Sequence, residues 1–100
     1  MTLEDVAAKI RQKTHHANEF HARVLFDFGD DGCLHVDANE FPALISTDAK
    51  EADVTLLTSL DTFGKILNGE TDPNFAFLMG KLKIQGNMGL ALKLNGFLEG

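Results

Sequence analysis

The sequence predicts an α+β fold in which helices pack mainly on one face of a single mixed five-stranded sheet. In most of the short predicted strands, polar and apolar residues alternate, which is typical of strands with one buried face. In the segments around them, apolar residues recur at helical spacing. These segments follow the order helix, three strands, crossover, strand, two short helices, strand and terminal helix. One sheet covered on one side would bury all of these apolar faces together.

The composition indicates one soluble domain covering residues 1–100. The formal net charge of −6 argues against a nucleic acid partner. It also argues against simple electrostatic adsorption to anionic membranes, so we expect at most transient membrane contact. The single cysteine, Cys33, fits a reducing compartment. No secretory leader, Ser-Lys-Leu-like ending or apolar run of ~20 residues is recognisable, and we expect a cytoplasmic protein.

Residues 2–16 predict an amphipathic helix. Its apolar stripe consists of Leu3, Val6, Ala7 and Ile10. Thr2 and Asp5 have the spacing of a capping box. The adjacent His15 and His16 invite a metal-binding interpretation. Neighbouring residues on a helix point in different directions, however, and no cysteine or carboxylate cluster completes a site, so no metal is predicted.

Residues 20–28 and 33–38 predict a β-hairpin. Alternation in both segments places one set of apolar side chains on a common face: Phe20, Ala22, Val24, Phe26, Phe28, Leu34, Val36 and Ala38. An Asp-Gly pair between the segments is typical of a hairpin turn. On the opposite face, His35 is expected to meet water.

The central part of the chain predicts two further strands and a helix. Residues 41–47 form a poorly patterned strand, and Pro42 suits an edge position because a proline lacks the N–H donor. Residues 53–58 alternate around Val54 and Leu56. Thr58 or Ser59 then caps a helix to Asn68, whose apolar side is formed by Leu60, Phe63, Ile66 and Leu67.

Residues 72–98 predict helix, strand and helix with well-marked boundaries. Asp72 caps the first helix and Gly80 ends it. In residues 81–85, the lysines alternate with Leu82 and Ile84, which indicates a strand with one buried face. Asn87 suits the N-cap of the last helix.

This region also resembles the C-terminal signature of the sterol carrier protein type 2 family. The residues that carry the resemblance are Pro73, Ala76-Phe77, Gly80-Lys81-Leu82-Lys83-Ile84, Gly86-Asn87-Met88-Gly89-Leu90-Ala91 and Lys93-Leu94, with weaker support from residues 52–56. The resemblance implies a small α+β domain that binds lipid in an apolar tunnel. Because the residues offer no convergent catalytic constellation, neither catalysis nor a cofactor is predicted. It leaves open whether the ligand is a fatty acid, a fatty acyl thioester, a phospholipid or a sterol.

With this resemblance, apolar residues of the sheet and helices are predicted to line the tunnel. They are Val24, Phe26, Val36, Leu56, Phe63, Leu67, Phe75, Leu78, Met79, Leu82, Ile84, Met88 and Leu92. The last helix is apolar on most sides, and we hypothesise that it closes one end of the tunnel with Met88 and Leu92 towards the ligand.

Two other interpretations remain. The terminal helix could dock on a partner enzyme through Leu90, Leu94 and Phe97, which would make the chain an interaction module. An enzyme is the second alternative, but Ser46 and Ser59 have no histidine and acid partners at a recognisable spacing. The oligomeric state is left open.

Overall fold

The computed structural model describes residues 2–15, 21–40 and 43–99. Its helices are α1 (Leu3–His15), α2 (Leu60–Leu67), α3 (Pro73–Leu78) and α4 (Met88–Glu99). Its strands are β1 (Arg23–Asp27), β2 (Cys33–Asp37), β3 (Leu44–Ser46), β4 (Val54–Thr58) and β5 (Leu82–Gly86). A 3-10 turn, Gly29–Asp31, joins β1 to β2. The predicted order of helices and strands is confirmed.

The five strands form one mixed sheet in the order β3-β2-β1-β4-β5. β1 and β4 run parallel, whereas the pairs β1–β2, β2–β3 and β4–β5 are antiparallel. The α+β class and the mixed sheet are therefore as predicted. β3 and β5 occupy the two edges, in agreement with the edge position inferred for the third strand.

The strand register brings the predicted apolar residues onto one face. Val24 is paired with Val36 on one side and with Val54 on the other. Two residues further along β1, and therefore on the same face, Phe26 is paired with Leu34 and Leu56. On β5, Leu82 is buried and Ile84 is half-buried, while the lysines before and between them are exposed. The predicted register is confirmed.

The hydrophobic core lies between this face and the helices. The ring of Phe63, on α2, packs between two rings of the first strand region, with centroids 5.0 Å from Phe26 and 5.4 Å from Phe28. Val6 and Ile10 of α1 and Leu94 of α4 reach the same cluster. α1, α2 and α4 thus each bury apolar side chains against one face of the sheet.

Side-chain caps begin the helices where the sequence predicts them. The Thr2 backbone N–H donates to the Asp5 carboxylate at 3.0 Å, and the Asp5 N–H donates to the Thr2 hydroxyl at 3.2 Å. The hydrogen bond from the Thr2 backbone lowers the pKa of Asp5. Ser59, Asp72 and Asn87 likewise accept from backbone N–H groups in the first turns of α2, α3 and α4.

Some strand boundaries and the exposures of two residues differ from expectation. β3 has three residues, Leu44–Ser46, rather than the seven of 41–47. Ala38 follows the end of β2 and is half-buried, not buried. His35 was expected to meet water and is 4% exposed. Its ring nitrogen Nε2 lies 2.9 Å from the carbonyl oxygen of Glu51. His16, Phe20, Phe41 and Pro42 lie outside the described residues.

The burial of His35 follows from the strand order. β4 lies on the far side of β1 from β2 and β3, so the chain after β3 must cross β2 and β1 to reach it. It crosses on the face opposite the helices, where it brings Glu51 over His35. Side chains of β2 still alternate between the two faces of the sheet, but the chain around Glu51 covers His35 on the face opposite the helices.

Candidate functional site

The thirteen predicted lining residues fall into two groups. The buried group belongs to the packed core and consists of Val24, Phe26, Val36, Leu56, Phe63, Leu67 and Leu82. Ile84 is half-buried and packs against that core. The remaining five residues are exposed and lie on α3, at its end, or on α4. The structure therefore does not gather all thirteen side chains around one space.

The exposed group is part of a larger set of apolar side chains. Its members are exposed by 57% at Phe75, 80% at Leu78, 58% at Met79, 50% at Met88 and 70% at Leu92. Phe77, which the sequence analysis did not include in the site, is 42% exposed. We call these six residues the α3–α4 apolar surface, since α3 and α4 contact each other. Large exposed apolar patches in monomeric domains mark interaction or ligand sites.

The shortness of α3 explains why it exposes so many apolar side chains. Asp72 caps the helix with its carboxylate 2.7 Å from the Asn74 N–H. Gly80, with a φ of 75°, allows the chain to leave the helix after Leu78. Of the six residues of α3, Pro73 and Ala76 are buried. These small side chains hold the helix close to the sheet, and the larger ones are left outside.

α4 divides its apolar residues between two sides. Ala91 and Leu94 are 1% exposed and enter the core, whereas Met88 and Leu92, one turn apart, face outwards. The sequence predicted that Leu90, Leu94 and Phe97 would form the docking face of an interaction module, and this prediction is wrong for Leu94. Leu94 is not available to a partner because it packs in the core, and Leu90 is half-buried. The side chain of Phe97 lies outside the described part of the structure.

The outward position of Met88 and Leu92 bears on the lid hypothesis. A ligand enclosed between α4 and the sheet would first meet Ala91 and Leu94. Contact with Met88 or Leu92 requires a ligand that reaches the outer surface, or rotation of α4. Their assignment as ligand contacts stays a prediction, as does the tunnel.

A cleft of about 420 Å³ lies between α1 and the β2–β3 edge of the sheet. It is lined by apolar residues that include Ala7, Leu34 and Ile45, and by the polar residues Glu4, Arg11, Ser46 and Thr47. None of the thirteen predicted residues lines it. Its volume is within the range of small-molecule sites, about 300–1,000 Å³.

A second cleft, of about 280 Å³, lies on the sheet face opposite the helices. His35, Asp37 and Ser46 line it, together with Arg23, Leu44, Lys50 and Glu51. The antiparallel pairing of β2 and β3 sets Ser46 directly opposite His35, a neighbour that sequence spacing could not reveal. The Ser46 hydroxyl is buried and has no hydrogen-bond partner among the described residues. Because a nucleophile must be reached by its substrate, this hydroxyl is not arranged for attack.

The described residues also bear on metals and on membrane spans. They bring together no group of three or more His, Cys, Asp or Glu side chains suited to a metal ion. None of the described helices combines the length and the hydrophobicity that a transmembrane span requires.

Comparison with known proteins supports the resemblance carried by the C-terminal region. The model of the SCP-2 sterol transfer family matches residues 3–99 of this chain. The chain belongs to the SCP-2 sterol transfer family. The match includes all four helices and all five strands, so the family relationship extends well beyond the C-terminal signature.

Solved structures of the SCP-2 family share the fold. The sterol carrier protein domain 2 of Helicoverpa armigera superimposes with a TM-score of 0.70 at 26% identity, over 98% of this chain and 90% of that one. Curated relatives match over a shorter stretch. Hydroxysteroid dehydrogenase-like protein 2 of Bos taurus is 52% identical over 49 residues, which is 49% of this chain and 12% of that protein. Sterol carrier protein 2 of Homo sapiens is 49% identical over 45 residues, 45% of this chain and 8% of that protein. The chain thus aligns with only a small part of these two relatives.

Proposed function

We propose that this SCP-2 family domain binds a lipid without catalysis and transfers it between cellular sites. The ligand class comprises fatty acids, fatty acyl thioesters, phospholipids and sterols. Membership of a sterol transfer family supports lipid binding in general. The single cysteine, half-buried in β2, is compatible with the cytoplasmic setting expected from the sequence.

The observation that carries the proposal is the α3–α4 apolar surface in a chain of this family. Leu78 and Leu92 are among the most exposed large apolar side chains of the described residues. Transfer of apolar surface out of water contributes roughly 25 cal/mol per Å². Six such side chains left outside therefore represent a substantial driving force for contact with an apolar ligand.

We propose that the acyl or sterol body enters between the sheet and the helices beside this surface. The buried group of predicted residues would contact the ligand only after the helices separate from the sheet. α4 is suited to such movement because its described core contacts come from Ala91 and Leu94, with Leu90 half-buried. Among the described side chains, α4 buries Ala91 and Leu94, whereas α2 buries Phe63, Ile66 and Leu67 and so commits more apolar area to the core.

The first experiment measures lipid retention and thermal stability. After delipidation, the protein is incubated with a long-chain fatty acid, an acyl thioester, a phospholipid or a sterol and examined by native mass spectrometry. At a ligand concentration of ~100 times Kd, binding stabilises the folded state by about 2.7 kcal/mol. For a domain of this size the melting temperature would rise by roughly 10 °C or more. An unchanged melt and no retained mass with all four ligand classes would refute the proposal.

A matched pair of variants tests where the lipid binds. Leu78→Glu places a charge on the α3–α4 apolar surface, whereas Leu44→Glu places one on the β3 edge, where the leucine is 61% exposed. We expect the first variant to weaken fatty acid binding at least ten-fold and the second to leave it unchanged. Equal effects would show that the apolar surface is not the route to the ligand.

A second candidate function is docking on a partner enzyme. The outward face of α4 favours it, with Met88 and Leu92 in place of the residues that the sequence suggested. This chain aligns with 12% of the longer hydroxysteroid dehydrogenase-like protein 2 of Bos taurus. That alignment is also consistent with a domain that binds to an enzyme. Protein that never retains lipid, yet binds a partner enzyme through Leu92, would favour this function over lipid carriage.

A further inference from the structure

The two edges of the sheet differ in their protection against pairing with another strand. At the β5 edge, Lys81 precedes the strand and Lys83 lies within it, and both are exposed. Lysines at a sheet edge oppose the addition of a further strand. The β3 edge, residues 43–47, includes no charged residue, and its Leu44 is 61% exposed. The β3 edge is therefore the less protected of the two.

The hydrogen bonds of the hairpin show which residues of β2 point towards β3. The Phe28 N–H donates to the Gly32 carbonyl at 2.9 Å, and the Ala38 N–H donates to the Ala22 carbonyl at 2.9 Å. In an antiparallel pair, residues bond to the partner strand at every second position. Even-numbered residues of β2 thus bond to β1, and odd-numbered residues direct their N–H and C=O groups to β3.

This pattern leaves main-chain groups of β3 open at the edge of the sheet. The odd-numbered His35 and Asp37 are paired with Ser46 and Leu44, so these two residues of β3 bond to β2. Ile45 lies between them and directs its N–H and C=O away from β2. Outside the sheet, no described residue forms a hydrogen bond with either group. One donor and one acceptor are therefore available to an added strand.

The cleft of about 420 Å³ between α1 and the sheet lies beside these groups. Ala7, Leu34 and Ile45 contribute apolar lining to it. Extended peptides bind to exposed sheet edges as an additional strand. Main-chain hydrogen bonds then provide affinity, and pockets for alternate side chains provide specificity. The β3 edge and the cleft supply both features.

Glu4 and Arg11 also line the cleft, at positions seven residues apart on α1. This spacing corresponds to about 10 Å along the helix axis, which an extended chain covers in about three residues. β3 itself has three residues. Among the described residues, neither of these two charged side chains forms an ion pair. The cleft is thus complementary to a short segment that carries one basic and one acidic side chain.

We propose that the β3 edge and α1 bind an extended peptide segment of a partner protein as a sixth strand of the sheet. The peptide backbone pairs with the N–H and C=O of Ile45. Its side chains alternately cover Leu44 on one face and enter the cleft on the other. The segment has apolar residues at alternate positions between a basic and an acidic residue, which face Glu4 and Arg11. This inference goes beyond the proposed function, because it assigns a separate surface and does not depend on lipid binding.

The open main-chain groups favour a peptide over the other occupants of such a cleft. An acyl chain would cover the N–H and C=O of Ile45 without a hydrogen bond to either, which is unfavourable. A second copy of this chain would carry the same net charge of −6, so the two copies would repel each other. A peptide satisfies the donor and the acceptor and supplies charges of both signs.

The experiment begins with a library of random ten-residue peptides displayed on phage and selected against the delipidated full chain. We expect enrichment of peptides with alternating apolar residues between a basic and an acidic residue. The most enriched peptide is synthesised with a fluorescent label and titrated by anisotropy. Arg11→Glu should weaken its binding at least ten-fold. Replacement of the acidic residue of the peptide by lysine should return the affinity of Arg11→Glu to within three-fold of the original pair.

Methylation of the peptide amides, one at a time, tests the strand pairing itself. An amide directed to β3 loses its hydrogen bond when methylated, whereas its neighbours point away from the sheet. We expect losses of at least ten-fold at every second amide and smaller losses between them. Failure to enrich any peptide overturns the inference, as do losses without a period of two residues.

The matched control is Lys93→Glu, which makes the same charge change at an exposed position on α4. It should alter peptide affinity less than three-fold, and a loss as large as that in Arg11→Glu overturns the inference. Fatty acid binding by Arg11→Glu should equal that of the unmodified protein, which separates this inference from the proposed function. A loss of fatty acid binding in Arg11→Glu would instead assign the cleft to lipid. Self-association in analytical ultracentrifugation that Leu44→Glu abolishes would assign the edge to a second copy.

Discussion

A β-carbon placed on Gly86 would lie 2.5 Å from the carbonyl oxygen of Asp53. The two backbones approach this closely where the last residue of β5 pairs with the first residue of β4. That same oxygen accepts a hydrogen bond from the N–H of Asn87 at 3.1 Å, and Asn87 caps α4. The contact between Gly86 and Asp53 thus fixes the point at which the edge strand ends and α4 begins.

Gly86→Ala should be among the most destabilising small substitutions in the chain. The residue has a φ of 105°, and its new methyl group would also collide with backbone that cannot rotate away. Gly69→Ala is the matched control, because Gly69 has a φ of 77° but open space around it. We expect Gly69→Ala to lower the free energy of unfolding by about 1–2 kcal/mol, because of backbone conformation alone. Gly86→Ala should lower it clearly more, as measured by denaturant unfolding. Equal losses would mean that the close approach is not retained in solution.

The two phenylalanines Phe63 and Phe75 should respond very differently to truncation. Phe63 has no exposed area and contacts the rings of Phe26 and Phe28, so Phe63→Ala should cost about 3–5 kcal/mol. Phe75→Ala should change the stability of the lipid-free protein by no more than about 0.5 kcal/mol. Because the first loss approaches the total stability of a typical domain, Phe63→Leu provides a milder variant. Chemical denaturation of the four proteins checks the difference, and a large loss at Phe75 would show that α3 packs more deeply.

Replacement of His35 tests the crossing of the chain over the outer sheet face. His35→Ala removes the contact between Nε2 and the Glu51 carbonyl and also truncates a side chain that is buried in the folded protein. We expect a loss of about 1–3 kcal/mol in the free energy of unfolding. His21→Ala is the control, since His21 is exposed, and should fall within about 0.5 kcal/mol of the parent. If both variants behave alike, the connection from β3 to β4 does not cover His35 in solution.

Hydrogen exchange tests whether α4 is a lid. We expect the amides of residues 90–98 to exchange more slowly with bound fatty acid than without, because a ligand that packs under α4 stabilises its closed position. The amides of residues 63–67 in α2 serve as the internal control and should change little. Equal protection of residues 90–98 in both states would leave α4 as a firmly docked core helix.

The predictions from sequence succeeded where the physical cause is local. Alternation around Phe26 and Leu56 decides which side of each strand is buried, because side chains leave a strand on alternate faces. Helix starts at Ser59 and Asp72 follow from carboxylate or hydroxyl groups that satisfy free N–H donors one turn ahead. These interactions span two or three residues, so the sequence contains the information directly.

The candidate site depended on information that no local pattern contains. Spacing identified Phe75, Leu78, Met88 and Leu92 as apolar but could not show that they face outwards. That outcome depends on which sides of the short helices reach the sheet, and Ala76 and Ala91 occupy those sides in the folded protein.

The sequence by itself determined the elements, their caps, the inward face of the sheet and the resemblance to a lipid-binding family. Only the tertiary structure decided the strand order, the burial of His35 and the outward position of the α3–α4 apolar surface. The physical reason is the range of the interactions. Caps and alternation act between near neighbours, whereas exposure depends on contacts between segments far apart in the chain, such as His35 with Glu51 and Gly86 with Asp53.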